Sequence, residues 1–98
     1  MAGIFAVVRS RGPAWDDTRA MEGQHDWAGH AAFMNALHAE GFVVLVGPLE
    51  GTGDALLIAR ADGADQIKAR LSDDPWTRSN LLVLSSIAPW TLRLGSLG

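Results

Sequence analysis

The segment from His25 to Leu49, HDWAGHAAFMNALHAEGFVVLVGPL, constrains the fold of this chain more than any other. Its first part places apolar residues at helical spacing, which predicts an amphipathic helix over about 25–40. Gly41 is the residue type that commonly ends such a helix. The apolar run FVVLV at 42–46 follows at once and predicts a strand that ends in a Gly-Pro turn.

Three further apolar runs predict strands, and a second helix is expected between the last two of them. The strands are GIFAVVR at 3–9, ALLIAR at 55–60, after the hairpin turn EGTGD, and LLVLSSI at 81–87, with the second helix at roughly 63–72. The order βαββαβ is that of the ferredoxin-like arrangement. We therefore expect a single α+β domain over 1–98, with a four-stranded antiparallel sheet and two helices on one face.

The strands carry continuous apolar runs rather than an alternation of apolar and polar residues. A sheet with one face in water should alternate, so these strands need cover on both faces. Two helices can cover only one face, and an exposed apolar sheet usually marks an interface. The pattern predicts a homodimer that packs through the open sheet face.

A long loop is expected between the first strand and the first helix. It runs from Ser10 to Gln24 and contains Trp15 and Met21 among charged residues, glycines and a proline. Loops of this length in small domains are usually functional or flexible. The two large apolar side chains indicate that part of the loop packs against the domain.

Composition excludes several classes of function. The 98 residues carry a formal net charge of −3 with no basic run, which argues against nucleic-acid binding. The chain has no cysteine, and its three histidines lack the i, i+4 spacing of a helical zinc pair, so no metal site or cofactor is expected. No apolar stretch is long enough for a membrane span and no signal peptide is evident, so the expected location is cytoplasmic.

His30 stands on the helix face that should point inward, and two interpretations are open. A buried imidazole needs partners for its ring nitrogens. It can act as a general acid or base, or it can be a structural core histidine that pairs with Asp26 one turn earlier.

A set of motifs then matches a known family across residues 3–92. In order they are His30, Leu37, Gly41, Gly47-Pro48, Asp74-Pro75-Trp76 and Pro89-Trp90. This pattern resembles the YCII-related (YciI-like) proteins, in which a helix histidine precedes a Gly, a strand and a Gly-Pro segment, and an Asp-Pro-aromatic motif follows the second helix. His30 stands eleven residues before Gly41, as in the family pattern.

The resemblance implies a dimeric α/β barrel of ferredoxin-like protomers in which the helix histidine works with the motif aspartate. Here these residues are His30 and Asp74. One characterised relative is a dehydrochlorinase that acts on a chlorinated hydroxyhydroquinone, although most members have no established substrate. Asp74 would then orient His30; alternatively, an Asp before a proline only shapes a turn through its own side chain.

Five more residues are candidates for substrate binding, each with a simpler alternative. Trp27 and Trp76 can wall a pocket together with the 10–24 loop, or they can anchor the core. Gly47 and Pro48 can leave room for a ligand at a strand end, or form only the turn. Arg9 can bind an anionic substrate, or it is one surface arginine at the end of a strand.

Two functional hypotheses follow. The first is a small cofactor-independent lyase or isomerase, dehydrochlorinase-like, that acts on a small aromatic or enol-like substrate through a His-Asp pair. The second is a non-catalytic homodimeric module that binds a small molecule or a protein. An enzyme requires His30 to lie beside a cavity that solvent can reach, whereas a structural module allows the residue to be sealed in the core.

Overall fold

A computed structural model of the protein describes residues 2–97. Its elements are β1 (Gly3–Arg11), a 3-10 turn (Met21–Gly23), α1 (Trp27–Ala39), β2 (Val43–Pro48), β3 (Asp54–Ala61), α2 (Ala64–Leu71), α3 (Pro75–Arg78) and β4 (Leu82–Pro89). The predicted βαββαβ order is confirmed, with the short helix α3 as an addition. None of the helices in this part of the chain is long and apolar enough to cross a membrane.

The four strands form one antiparallel sheet in the order β2-β3-β1-β4. This is the ferredoxin-like order, as the sequence predicts. The pairing of β1 with β4 shifts between Val8 and Arg9, which is the signature of a β-bulge.

Helix α1 begins two residues later than the sequence pattern predicts because Asp26 caps it. Asp26 adopts a left-handed conformation (φ 54°), and its carboxylate accepts a hydrogen bond from the Gly29 N–H at 3.2 Å. This satisfies a backbone donor that a helix start otherwise leaves unpaired. Gly41, with φ of 82°, follows the end of the helix as predicted. His30 and Leu37 are the buried residues of the helix.

The apolar core divides into two clusters on the helix side of the sheet. The main cluster joins the sheet to α1 and α2, and its buried members include Phe5, Val7, Leu37, Leu57, Ala59, Ile67 and Leu71. The second cluster lies around α3 and consists of Trp76, Leu81 and Leu82, with Trp15, Met21 and Trp27 packed against it. The second cluster thus receives both large apolar residues of the loop, as expected.

The loop after β1 is shorter and better ordered than the sequence suggests. β1 continues to Arg11 and the 3-10 turn occupies 21–23, so irregular structure is confined mainly to 12–20. The Gly12 N–H donates to the Leu81 carbonyl at 2.9 Å, and a side chain at Gly12 would collide with the Asn80 backbone. The buried Gln24 side chain donates to the Asp16 carbonyl at 2.7 Å and fixes the other end.

The opposite face of the sheet, which we call the open face, carries no helix. One row across it consists of Leu45, Ile58, Ala6 and Ala88, taken from the four strands in order. Leu45 is 56% exposed on this face. The apolar open face is therefore present, and the predicted dimer that would cover it remains a prediction.

Candidate active site

Three distant parts of the chain meet at the carboxylate of Asp74. The Nδ1 atom of His30 on α1 lies 2.9 Å from Oδ2 and 3.0 Å from Oδ1 of Asp74. The Nη2 atom of Arg9 on β1 lies 3.0 Å from the same Oδ2. Asp74 has no exposed surface, and its two partners, Arg9 and His30, are also buried.

The local sequence explains why Asp74 points inward. It precedes Pro75, has an extended backbone (φ −65°, ψ 128°) and is the N-cap of α3. Its Oδ1 accepts the Trp76 N–H at 2.9 Å. Asp74 therefore shapes the local turn and also contacts His30, because the same carboxylate caps α3 and bonds to the imidazole.

The surroundings keep the Asp74 carboxylate ionised. Burial alone would raise its pKa, since a charged group loses hydration in the interior. The hydrogen bonds from His30 and from the Trp76 N–H, together with the charge of Arg9, outweigh burial and hold the pKa below its ordinary value. An ionised carboxylate only accepts hydrogen bonds, so Nδ1 of His30 must carry the hydrogen.

This hydrogen bond leaves the second ring nitrogen of His30, Nε2, available to a ligand. With Nδ1 protonated, Nε2 of the neutral imidazole holds a lone pair. No group of the described chain hydrogen-bonds to Nε2. His30 lines a cavity of about 460 Å³, a size suited to a small molecule. The imidazole is therefore not sealed in the core.

The alternative partner of His30 proposed from the sequence is wrong. The Asp26 carboxylate bonds to the Gly29 N–H at the start of α1, and the imidazole of His30 bonds to Asp74. Asp26 cannot serve both because it lies in the cap, where its left-handed backbone turns the side chain along the first helical turn.

Trp76 holds the plane of the imidazole. Its indole lies parallel to the His30 ring, with the centroids 3.9 Å apart and the planes at 4°. The indole N–H donates to the His25 carbonyl at 2.7 Å. Trp15 meets Trp76 edge-on at 5.5 Å, and Trp27 packs against it at 5.7 Å. All three tryptophans line the cavity, and Trp76, which is 1% exposed, is also a core anchor.

Arg9 is not a surface arginine, contrary to the simpler sequence interpretation. It is 3% exposed because it continues the inward-facing positions of Phe5 and Val7 along β1. Its Nη2 also donates to Thr77 Oγ1 at 2.7 Å, and its Nη1 has only the Met34 sulfur as a weak partner, at 3.9 Å. Arg9 lines the cavity, but its charge is opposed by Asp74.

Gly47 and Pro48 also border the cavity, from the end of β2. A Cβ at Gly47 would meet no atom within 4 Å, so the glycine leaves open space there. The structure thus brings together every residue that the sequence nominated for the site. Their roles in binding and catalysis remain predictions.

Two contributors to the site escaped the sequence reasoning. Thr77 receives the Arg9 guanidinium, and no sequence pattern singles it out. Arg11 borders the cavity beside Trp15. The alternation of β1 could have indicated it, since Arg9 and Arg11 are two residues apart and share one face of the strand.

The described residues contain no cluster of three or more His, Cys, Asp or Glu side chains that could hold a metal ion. Every fully buried side-chain nitrogen and oxygen in this part of the chain has a hydrogen-bond partner.

Comparisons with known proteins give one informative match. The structure is similar to that of 5-chloro-2-hydroxyhydroquinone dehydrochlorinase from Burkholderia phenoliruptrix AC1100 in complex with 2,5-dihydroxybenzoquinone, with a TM-score of 0.68 and 22% sequence identity. The match covers 90% of this chain and 93% of that one. No protein-family model and no curated protein matches the sequence. The likeness therefore establishes the fold alone, a ferredoxin-like α+β domain with a four-stranded antiparallel sheet.

Proposed function

We propose that this protein is a YCII-related, cofactor-independent lyase or isomerase that moves a proton on a small aromatic or enol-like substrate. The observation that carries the proposal is the arrangement of His30: Nδ1 is bound to Asp74, Nε2 has no hydrogen-bond partner among the described residues, and the residue lines the cavity. A histidine with this arrangement is equipped to act as a general base.

In the proposed reaction, Nε2 of His30 takes a proton from a substrate hydroxyl or from a carbon next to a carbonyl. The freed electron pair forms a new double bond within the substrate. In a lyase, the proton comes from carbon, the pair of the broken C–H bond forms the new C=C bond, and a leaving group on the neighbouring carbon departs with its bonding electrons, for example as chloride. In an isomerase, the imidazolium returns the proton to a different carbon. Neither path needs an oxidant or a reductant.

Asp74 and Arg9 support this step in different ways. The Asp74 carboxylate stabilises the imidazolium that forms when Nε2 accepts the proton. Arg9 holds the carboxylate at 3.0 Å, and its Nη1, which has only a weak sulfur partner, is available to a substrate oxygen. On this basis Arg9 is assigned to substrate binding.

The walls of the cavity favour a substrate with a flat ring. Trp27 and Trp76 provide aromatic surfaces beside His30, and Gly47 and Pro48 leave space on the side of β2. Offset stacking on an indole favours a ring of similar flatness. The dehydrochlorinase with the same fold has a hydroxylated aromatic substrate according to its name, which is consistent with this class.

We also propose that the protein is a homodimer. The open face carries apolar residues, of which Leu45 is 56% and Val83 is 37% exposed. A second copy that packs its own open face there would remove this surface from water.

The function can be tested with two assays on the purified protein. Chloride release from 5-chloro-2-hydroxyhydroquinone under anaerobic conditions tests dehydrochlorination, and ¹H NMR in D₂O of a panel of hydroxylated aromatics tests proton exchange at ring carbons. We expect one of these reactions to exceed the protein-free rate, and His30→Gln to reduce it by about 100-fold or more.

The outcomes separate the two hypotheses. Activity that His30→Gln leaves unchanged would contradict the assigned role of His30. Binding of these aromatics without release or exchange would contradict the enzyme hypothesis and favour a non-catalytic binding module.

A further inference from the structure

We propose that Arg11 and Trp15 form an anion subsite at the cavity, so that its ligands are single-ring compounds bearing a negatively charged oxygen group. The subsite deepens the proposed function and rests on it only for the identity of the reacting ring.

Arg11 is the cation of this cavity whose charge is not already opposed. The Arg9 guanidinium lies 3.0 Å from the Asp74 carboxylate. Arg11 also borders the cavity, and no carboxylate among the described residues lies within 4.0 Å of it. Asp54 borders the cavity too, but its carboxylate accepts a hydrogen bond from Ser10 at 2.7 Å. Ser10 projects from the other face of β1, so this acid turns away from Arg11.

The Arg11 side chain is exposed, but it packs against other groups before any ligand arrives. Its guanidinium carbon lies 4.7 Å from the centroid of the Trp15 ring, at cation–π distance. Its aliphatic stem packs against Gly53, where an added Cβ would stand 3.5 Å from Cδ of Arg11. The backbone N–H of Arg11 donates to the Gly53 carbonyl at 3.0 Å and fixes the start of the side chain. A side chain that is already ordered loses less entropy when it binds an anion.

Trp15 connects the subsite to the catalytic pair without placing the two in contact. Its ring meets Trp76 edge-on at 5.5 Å, and Trp76 stacks on His30. Two indoles therefore separate the guanidinium from the imidazole. The positive charge of Arg11 acts on the part of a ligand that is remote from Nε2, and this selects for an anionic substituent away from the reacting position.

Two ligands that differ by one carboxylate test the subsite. Isothermal titration calorimetry compares hydroquinone with 2,5-dihydroxybenzoate on the wild-type protein and on Arg11→Gln, Arg11→Lys and Arg93→Gln. We expect the wild type to bind 2,5-dihydroxybenzoate about tenfold more tightly than hydroquinone at low salt, and this preference to shrink as salt is added.

The variants show whether the preference belongs to Arg11. Arg11→Gln should bind the two compounds equally, and Arg11→Lys should keep part of the preference because it keeps the charge but loses the planar stack. Arg93, an exposed arginine of the C-terminal segment, is the control, and its replacement should change neither affinity. Equal wild-type affinities, a preference that survives in Arg11→Gln, or no binding of 2,5-dihydroxybenzoate at millimolar concentration would overturn the subsite.

The same titrations separate this inference from the proposed reaction. A carboxylate preference in a protein that neither releases chloride nor exchanges protons would support the subsite and contradict the chemistry. Turnover of hydroxylated aromatics by a protein without that preference would support the chemistry and contradict the subsite.

Discussion

The imidazole of His30 and the indole of Trp76 lie face to face, 3.9 Å apart between centroids and 4° from parallel. The same tryptophan donates its backbone N–H to Asp74 at 2.9 Å and its indole N–H to the His25 carbonyl at 2.7 Å. One residue therefore fixes the plane of His30, the position of its carboxylate partner and the chain that leads into α1.

Replacing Trp76 by Phe keeps a flat ring beside His30 but removes the indole N–H bond and part of the buried surface. We expect the free energy of unfolding to fall by about 1–3 kcal/mol, measured by urea denaturation. Trp90, which is 44% exposed, provides the control, and Trp90→Phe should change stability by less than about 0.5 kcal/mol. Similar losses in both variants would contradict the anchoring role of Trp76.

Asp74→Asn preserves shape but removes the charge that opposes Arg9. A buried guanidinium without a counter-ion is expensive, so we expect a loss of about 3–5 kcal/mol in the free energy of unfolding. The neighbouring Asp73 forms an ion pair with Arg78 in which both side chains are 68% exposed. Asp73→Asn should therefore cost less than about 1 kcal/mol, and an equal cost for the two variants would show that burial of the Asp74 cluster is energetically unimportant.

The lowered pKa of Asp74 also predicts how stability depends on pH. In the unfolded chain this carboxyl binds its proton near the ordinary value of 3.8, whereas the folded protein holds its pKa lower. The unfolded state thus binds more protons in this range, and stability rises with pH. The contribution of Asp74 is complete above the ordinary value and is lost as the pH falls through the folded value.

Urea denaturation between about pH 6 and pH 2.5 measures this dependence. Other carboxyl groups contribute to acid unfolding, so the informative quantity is the difference in stability between the wild type and Asp74→Asn. We expect that difference to shrink as the pH falls. A difference that stays constant over the range would contradict the assigned direction of the Asp74 pKa.

A charge on the open face tests the proposed dimer. Leu45→Glu should shift the protein from dimer to monomer in sedimentation-velocity experiments, because a carboxylate would have to be buried in the interface without a partner. Leu94 is 94% exposed outside the sheet, and Leu94→Glu should leave the dimer intact. A wild type that sediments as a monomer would contradict the dimer itself.

Most of the architecture could be predicted because the apolar periodicity decides it. The helix face with His30 and Leu37, the glycine that ends α1 and the order of strands all follow from local patterns. The errors lie at boundaries that depend on single side chains. Asp26 delays the start of α1 by capping it, and Asp74 converts a predicted break into the cap of α3.

Local sequence patterns reveal only part of the site, because its contacts join residues that are far apart in the chain. Only the resemblance to a family pairs His30 with Asp74, since residues 44 positions apart share no local signal. The burial of Arg9 was missed because an arginine at a strand end is usually exposed, and only the carboxylate of Asp74 makes its burial tolerable. Thr77 was missed because a threonine in a short helix has no pattern of its own.

The contacts around Asp74 join segments that are far apart in the chain: His30 and Asp74 are 44 positions apart, and Arg9 and Thr77 are 68 positions apart. The site therefore comes into existence only when the two ends of the domain have come together, and an unfolded chain offers a ligand nothing comparable. A compound that occupies the cavity must then raise the melting temperature, whether or not it reacts. Thermal shift over a compound library can identify ligands of this protein before any reaction is known.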